Sequence, residues 1–218
     1  KFMVGQICRF TPAFEKAKEI IESGTIGELY FVESEYAHDY MKLCDEWRAD
    51  PKRHGVIGGG CHAVDLLRWI AGDPEKVMAL ANRKVLTDWP VDDCTIAVMQ
   101  FPNGVVGKIF CGIGVKRNYT MRTCVYGTKG TLIFDNQSDT MQAFYVNEED
   151  IAPHEPEIIP VEVNSHNAAA EFKAFADALV NDLPIDTNVY EGAKTVEVCL
   201  AIVESANEGK IVYPDYNF

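Results

Sequence analysis

The sequence of 218 residues has little positive charge, no paired cysteine motif and no long apolar run. Its formal net charge of −13 argues against nucleic-acid binding, because such binding needs cationic side chains that displace phosphate counterions. No uncharged apolar run approaches the roughly 18 residues of a membrane-spanning helix. We therefore expect neither nucleic acid nor a membrane as a partner, although a locally basic site could still bind an anionic substrate.

The seven cysteines are widely spaced and include no C-x-x-C pair. A chain of this size does not need disulfides, and an odd number of cysteines is typical of reduced thiols. The first residues hold one basic side chain and no apolar stretch of the kind that a signal peptide requires. These features predict a cytoplasmic protein, and the strand-like start predicts that the chain is the later part of a longer one.

The pattern of apolar residues predicts an α+β fold. A helix over residues 11–24 precedes a long strand over residues 28–40. From residue 76 to 163, seven short runs alternate with turn sequences, which predicts antiparallel strands, and two amphipathic helices follow. The expected architecture is a mostly antiparallel, open sheet with helices on one face. The other face carries Val106 and Phe110, so we expect it to join the same face of a second copy.

Three consecutive glycines precede a helix that the pattern predicts over residues 61–71. Gly58-Gly59-Gly60 nominally fits the G-x-G-x-x-A dinucleotide fingerprint, but no strand leads into it and no acidic residue follows at the required distance. We therefore expect no dinucleotide site in this chain. We expect the glycines to form a loop that lets the backbone approach a ligand or another segment, just ahead of the helix N-terminus.

His62 follows these glycines, and Asp65 comes three residues later on the same helical face. An imidazole that lines a cleft at such a place can transfer a proton near neutral pH. A packed histidine, hydrogen-bonded to a carbonyl, fits the same spacing, so both interpretations stay open. Metal binding by Cys61, His62 and Asp65 is disfavoured because no second cluster of ligands is recognisable.

Basic and aromatic residues lie close to these segments in the sequence. Trp47, Arg48 and Arg53 precede the glycines, and such residues hold polyols and carboxylates by stacking and forked hydrogen bonds. A surface cluster in which the cations pair with nearby acidic residues is an equal alternative. His38 and His54 are isolated in the sequence, which is typical of loop or surface positions.

Four blocks follow one another in order between residues 5 and 212, so they extend nearly from end to end of the chain: GQICRFTPAFEKAKEIIESGTIGELYFVESEY, EWRADP, GGGCHAVDLLRWIAGDP and EGAKTVEVCLAIVESANEGKIV. They resemble the Gfo/Idh/MocA oxidoreductases, the NAD(P)-dependent sugar and polyol dehydrogenases that include glucose–fructose oxidoreductase and inositol dehydrogenase. Members of that family carry an N-terminal Rossmann domain with a glycine fingerprint and a catalytic lysine in a Glu-Lys-Pro motif. This sequence contains neither motif, so the resemblance covers the C-terminal part only.

The resemblance implies a division of the chain into two parts. Residues 1–27 would hold the last strand of the missing Rossmann domain, Lys1–Arg9, and a bridging helix. Residues 28–218 would form a domain that binds the substrate, a sugar, polyol or related hydroxy compound, and joins subunits into a homodimer or homotetramer. NAD or NADP would bind through the Rossmann domain and not to this chain alone.

The resemblance also implies roles for single residues. His62 matches the catalytic histidine, which exchanges a proton with the substrate hydroxyl, and Asp65 matches a residue with a mainly orienting role. Gly58 stands where the family often has an aspartate, and this difference favours an alternative, a non-catalytic carbohydrate-sensing or scaffolding homologue. Residues that would contact or orient the substrate are Arg9, Trp47, Arg48, Asp65 and His166.

Overall fold

The computed structural model describes residues 1–42, 47–146 and 155–218. Its α-helices are α1 (Pro12–Glu22), α2 (Cys61–Ala71), α3 (Ala168–Val180) and α4 (Val189–Glu208). Its strands are β1 (Leu29–Ala37), β2 (Lys76–Asn82), β3 (Cys94–Gln100), β4 (Val106–Gly112), β5 (Thr123–Gly127), β6 (Gly130–Phe134), β7 (Thr140–Tyr145) and β8 (Glu157–Pro160). Short 3₁₀ helices cover Ile7–Phe10 and Tyr40–Lys42, and a π-helical turn covers Val56–Gly60.

The eight strands form one mixed sheet with the order β2-β3-β4-β1-β5-β6-β7-β8. Only β1 and β4 run parallel among these neighbours, with Ser34 opposite Ile109, and every other neighbouring pair is antiparallel. A parallel pair needs a long connection, and residues 38–105 provide it with α2, β2 and β3. The predicted mostly antiparallel, open sheet is confirmed.

The two faces of the sheet have different surroundings. Val32, Ile109 and Leu132 are fully buried on the face against which α1, α2 and α4 pack. On the opposite face, Leu80 and Val98 keep 67% and 48% of their surface exposed. The alternation along each strand therefore separates a packed face from an open, partly apolar one.

The three glycines lie inside a helix, which shows that the expected loop is wrong. The π-helical turn Val56–Gly60 runs directly into α2. An added Cβ at Gly59 would lie 2.4 Å from the ring of Tyr36 and 2.7 Å from the hydroxyl of Tyr40. An added Cβ at Gly60 would lie 3.0 Å from the sulfur of Cys111. The glycines let this helix lie directly against the sheet and its tyrosines, and His62 follows them in the first turn of α2.

The first nine residues also differ from the expectation of a strand. Residues 1–6 form no ladder with another strand, and Ile7–Phe10 form a 3₁₀ helix. The amide of Val4 donates a hydrogen bond to the carbonyl of Thr187, which is a single bond and not a ladder. A strand needs a neighbouring strand, and none of the described strands borders this segment. The division of the chain at residue 27 stays a prediction.

Candidate functional site

His62 projects from the first turn of α2 toward the end of β1. Its ring is partly exposed, and its centroid lies 6.3 Å from that of Tyr36. The Nδ1 atom is buried and has no hydrogen-bond partner. A buried polar nitrogen without a partner is uncommon in folded proteins and is often connected with function.

Through Tyr36, His62 belongs to a group of aromatic and imidazole rings that we call the ring cluster. The rings of His38 and Tyr119 are 4.8 Å apart, and Tyr119 stacks on His166 at 5.5 Å. The hydroxyl of Tyr36 lies 2.9 Å from that of Tyr40 and 3.1 Å from Nδ1 of His38, so these groups form a hydrogen-bonded chain. The ring cluster comprises Tyr36, His38, Tyr40, His62, Tyr119 and His166.

Burial favours the neutral form of two imidazoles in this cluster, His38 and His62. It lowers the pKa of His62, an effect that Asp65 opposes and that His166 and Arg53 reinforce. Burial and the charge of Arg48 lower the pKa of His38. A neutral imidazole can accept a proton at neutral pH. Burial also raises the pKa of Tyr36, so its hydroxyl stays protonated as a donor.

Arg9 and Asp65 form a buried pair beneath the site. Two nitrogens of Arg9 each donate to one carboxylate oxygen of Asp65, both at 2.8 Å, and the hydroxyl of Thr195 donates to the same carboxylate at 2.9 Å. Asp65 is inaccessible to solvent and Arg9 is 9% exposed. Burial alone would lower the pKa of Arg9, but the carboxylate of Asp65 raises it overall.

This pair connects three segments of the chain. Arg9 belongs to the first 3₁₀ helix, Asp65 to α2 and Thr195 to α4. Arg68, one turn after Asp65, extends the network by donating to Asp73 at 2.8 Å and to Thr195 at 2.7 Å. The network therefore fixes the position of α2, from which His62 projects.

Trp47, Arg48 and Arg53 come together at the edge of the site. The guanidinium carbons of Arg48 and Arg53 lie 4.3 and 4.2 Å from the ring centroid of Trp47. The indole is therefore in contact with two cations. Arg53 also donates a hydrogen bond of 2.7 Å to the carbonyl of Gly58. This hydrogen bond connects Arg53 to the π-helical turn that precedes His62. Trp47, Arg48 and Arg53 therefore all lie near the site.

The structure thus brings four of the predicted residues to one region and places two elsewhere. His62 and His166 are in the ring cluster, and Trp47 and Arg48 are at its edge. Arg9 and Asp65 are bound to each other below α2. Sequence reasoning missed the tyrosines of the cluster and treated His38 as an isolated loop residue. The alternation of Tyr36, His38 and Tyr40 was the available signal, since it places three rings along the end of β1.

The structure also shows whether the described residues offer a metal site or another cleft. Within the described residues, no group of three or more His, Cys, Asp or Glu side chains could hold a metal ion. Arg9, Trp69 and Thr187 are among the residues that line a separate cleft of about 460 Å³. His62 does not line that cleft.

In the same described part of the chain, no helix has the length and apolar character needed to cross a membrane.

Residues 14–133 match the family model described as "GFO/IDH/MocA C-terminal domain". The trans-1,2-dihydrobenzene-1,2-diol dehydrogenase of Mus musculus is 32% identical over 126 residues, which are 56% of this chain and 36% of that protein. The myo-inositol 2-dehydrogenase of Thermotoga maritima is 28% identical over 144 residues, which are 61% of this chain and 40% of that protein. The chain therefore spans only 36–40% of the length of these relatives.

A levoglucosan dehydrogenase, solved in complex with NADH, has a similar fold. Its TM-score is 0.79 at 22% sequence identity, over 98% of this chain and 66% of that chain. At this level of identity the likeness shows the fold alone. The mixed sheet and the helices on its packed face are therefore shared with a known oxidoreductase structure.

Proposed function

The chain belongs to the GFO/IDH/MocA family, and from this premise we propose that it is the substrate-binding part of an NAD(P)-dependent oxidoreductase. Its substrate is a sugar, a polyol or a related hydroxy compound. The observation that supports this proposal is the neutral, partly exposed imidazole of His62, whose Nδ1 has no partner. The relatives named above are dehydrogenases of such hydroxy compounds.

In this proposal His62 accepts the proton of the reacting hydroxyl. Its lowered pKa keeps the ring ready to accept a proton at neutral pH. Tyr119 and His166 present stacked rings in the same cluster, and such faces suit the C–H surface of a sugar ring. Trp47 and Arg48 contribute contacts from the edge of the site. Arg9 and Asp65 act as positioning residues, because each is bound to the other below α2.

The described residues do not fit a dinucleotide. The three consecutive glycines lie in a helix packed on tyrosine rings, so their amides cannot form a phosphate-binding loop. We propose that NAD or NADP is held by a Rossmann domain outside these residues. The role of this chain is then confined to substrate binding and proton transfer.

We also propose that the open sheet face joins a second copy, giving a homodimer or homotetramer. Leu80, Ile96, Val98 and Val106 are exposed on that face. Apolar side chains in such a patch are typical of an interface. The six described cysteines are free thiols, in keeping with the proposed cytoplasmic location.

A non-catalytic homologue that senses or scaffolds carbohydrate is the second candidate. Gly58 favours it, because the carboxylate that relatives often place four residues before the histidine is absent here. His62 and the residues around Trp47 favour the enzyme, since a sensor does not need a neutral imidazole with an unpaired nitrogen.

The experiment is turnover by the complete protein with NAD⁺ or NADP⁺ and a panel of polyols and sugars. His62→Ala should lower turnover about 10²–10⁴-fold, as expected for the loss of a general base, without lowering the melting temperature. His54→Gln is the matched control, because His54 is a buried histidine outside the ring cluster. Unchanged turnover in His62→Ala would remove this residue from the mechanism. Polyol binding without turnover in the unmodified protein would instead support the sensor.

A further inference from the structure

Arg53 occupies an unusual position beside the π-helical turn. Its Nη2 donates to the carbonyl of Gly58 at 2.7 Å, and its guanidinium stacks on Trp47. Its Nη1 is buried and has no hydrogen-bond partner. A buried N–H group of a cation that lacks an acceptor is costly, because hydrogen bonds to charged groups are stronger than neutral ones. The position therefore suits an anionic acceptor that arrives with a ligand.

The absence of a side chain at Gly58 makes this position possible. A Cβ at residue 58 would lie 3.0 Å from Cγ, Cζ and Nη1 of Arg53. Even the Cβ of an alanine at residue 58 would require the Arg53 side chain to move by a few tenths of an ångström. The glycine lets the cation lie against the backbone of the turn, where the hydrogen bond to its carbonyl and the indole of Trp47 hold it in place.

Arg53 also acts electrostatically on the ring cluster. Burial lowers the pKa of His62, and the charge of Arg53 adds to this effect. Burial raises the pKa of Tyr40, and the charge of Arg53 opposes that rise. Arg48, on the same indole, lowers the pKa of His38. Two guanidinium groups therefore lie at the edge of the site, although the whole chain carries a net charge of −13.

We propose that Arg53 binds a carboxylate of the substrate, which makes the preferred substrate a hydroxy acid, such as an aldonate or a uronate. Gly58 takes one N–H of Nη2, so the second N–H of Nη2 and the free Nη1 can form the two-pronged bond that a carboxylate accepts. The inference rests on the proposed function, since it places the reacting hydroxyl at His62.

The test compares acids with neutral compounds of the same carbon skeleton. Calorimetric titration of the chain uses D-gluconate against D-glucitol, and D-glucuronate against D-glucose. At least one acid should bind more tightly than its neutral partner. Arg53→Gln should weaken binding of that acid about 10- to 100-fold, as expected for a charged hydrogen bond, and should remove the preference. Lys52→Gln is the matched control, because it removes the same charge one residue away at an exposed position.

Several outcomes would overturn the inference. The acid and the neutral compound could bind equally tightly in both pairs, or neither acid could bind. Arg53→Gln could weaken the binding of the acid and of the neutral compound equally, or Lys52→Gln could remove the preference for the acid. Inorganic phosphate that competes as well as the preferred acid would show a simple anion site and would also overturn it. Thermal unfolding of Arg53→Gln near that of the unmodified chain verifies that the variant folds.

Turnover by the complete protein separates this inference from the proposed function. Arg53-dependent binding of an acid, without oxidation of any compound in the panel, would contradict the proposed function and leave the carboxylate site in place. His62-dependent oxidation of neutral polyols, without a preference for acids, would contradict the carboxylate site alone.

Discussion

Replacing Asp65 by asparagine should destabilise the protein strongly. The carboxylate of Asp65 is inaccessible to solvent and accepts two hydrogen bonds from Arg9 and one from Thr195. Asparagine has nearly the same shape but no charge, and its amide nitrogen cannot accept a hydrogen bond. The substitution would therefore leave the buried cation of Arg9 with only the more distant carboxylate of Glu191, at 4.0 Å, as an ion-pair partner among the described residues.

The expected cost follows from the geometry of this pair. Removing one partner of a buried ion pair costs about 3–5 kcal/mol when the remaining charge stays uncompensated, and the nearby carboxylate of Glu191 places the expectation for Asp65→Asn at the lower end of this range. For a domain of this size, this cost corresponds to a fall in melting temperature of about 6–20 °C. Urea denaturation followed by circular dichroism measures the free energy of unfolding directly. Asp177→Asn, which removes a partly exposed partner of Lys173, should cost less than about 0.5 kcal/mol.

A double substitution tests the same reasoning from the opposite side. Asp65→Leu with Arg9→Met removes both charges, so it should be more stable than Asp65→Leu alone. If Asp65→Asn changed the free energy of unfolding by less than about 1 kcal/mol, the positioning role would be refuted. A simultaneous rise in substrate KM would then make the pair a direct substrate contact.

Three further results are expected. Gly59→Ala should lower the melting temperature more than Gly5→Ala, because a Cβ at residue 59 would overlap a tyrosine ring, whereas a Cβ at residue 5 would lie at an ordinary contact distance of 3.6 Å from Glu171; equal shifts would contradict the packing role. Burial lowers the pKa of His54 and His62 below the usual 6.5, so the unfolded chain binds more protons just below that pH. The free energy of unfolding should therefore fall as the pH drops below about 6.5, and a slope of the opposite sign in urea titrations would show the pKa directions to be wrong. Val98→Lys on the open sheet face should shift light scattering toward the monomer at micromolar concentration, whereas a monomeric unmodified protein would exclude that interface.

The sequence determined the elements and the class of the fold. The period-2 runs predicted the strands from β2 to β8, and the helical spacing predicted α2 at its observed bounds, Cys61–Ala71. Such local patterns are readable because each element must present one apolar face to the core. The four blocks of resemblance identified the family, which the match over residues 14–133 confirmed. His62 was selected as the candidate proton acceptor from the same information.

The tertiary structure decided how these elements meet. Three glycines in a row carry no local sign of being helical, since glycine favours turns and loops; only contact with Tyr36 and Tyr40 shows why a π-helical turn forms there. The parallel pairing of β1 with β4 joins residues about 75 positions apart, which no short-range pattern can indicate. The partners of single side chains were equally hidden. Arg9 pairs with Asp65, and Arg53 lies against Gly58. The packing of whole elements, and not proximity in the sequence, decides which of these groups come into contact.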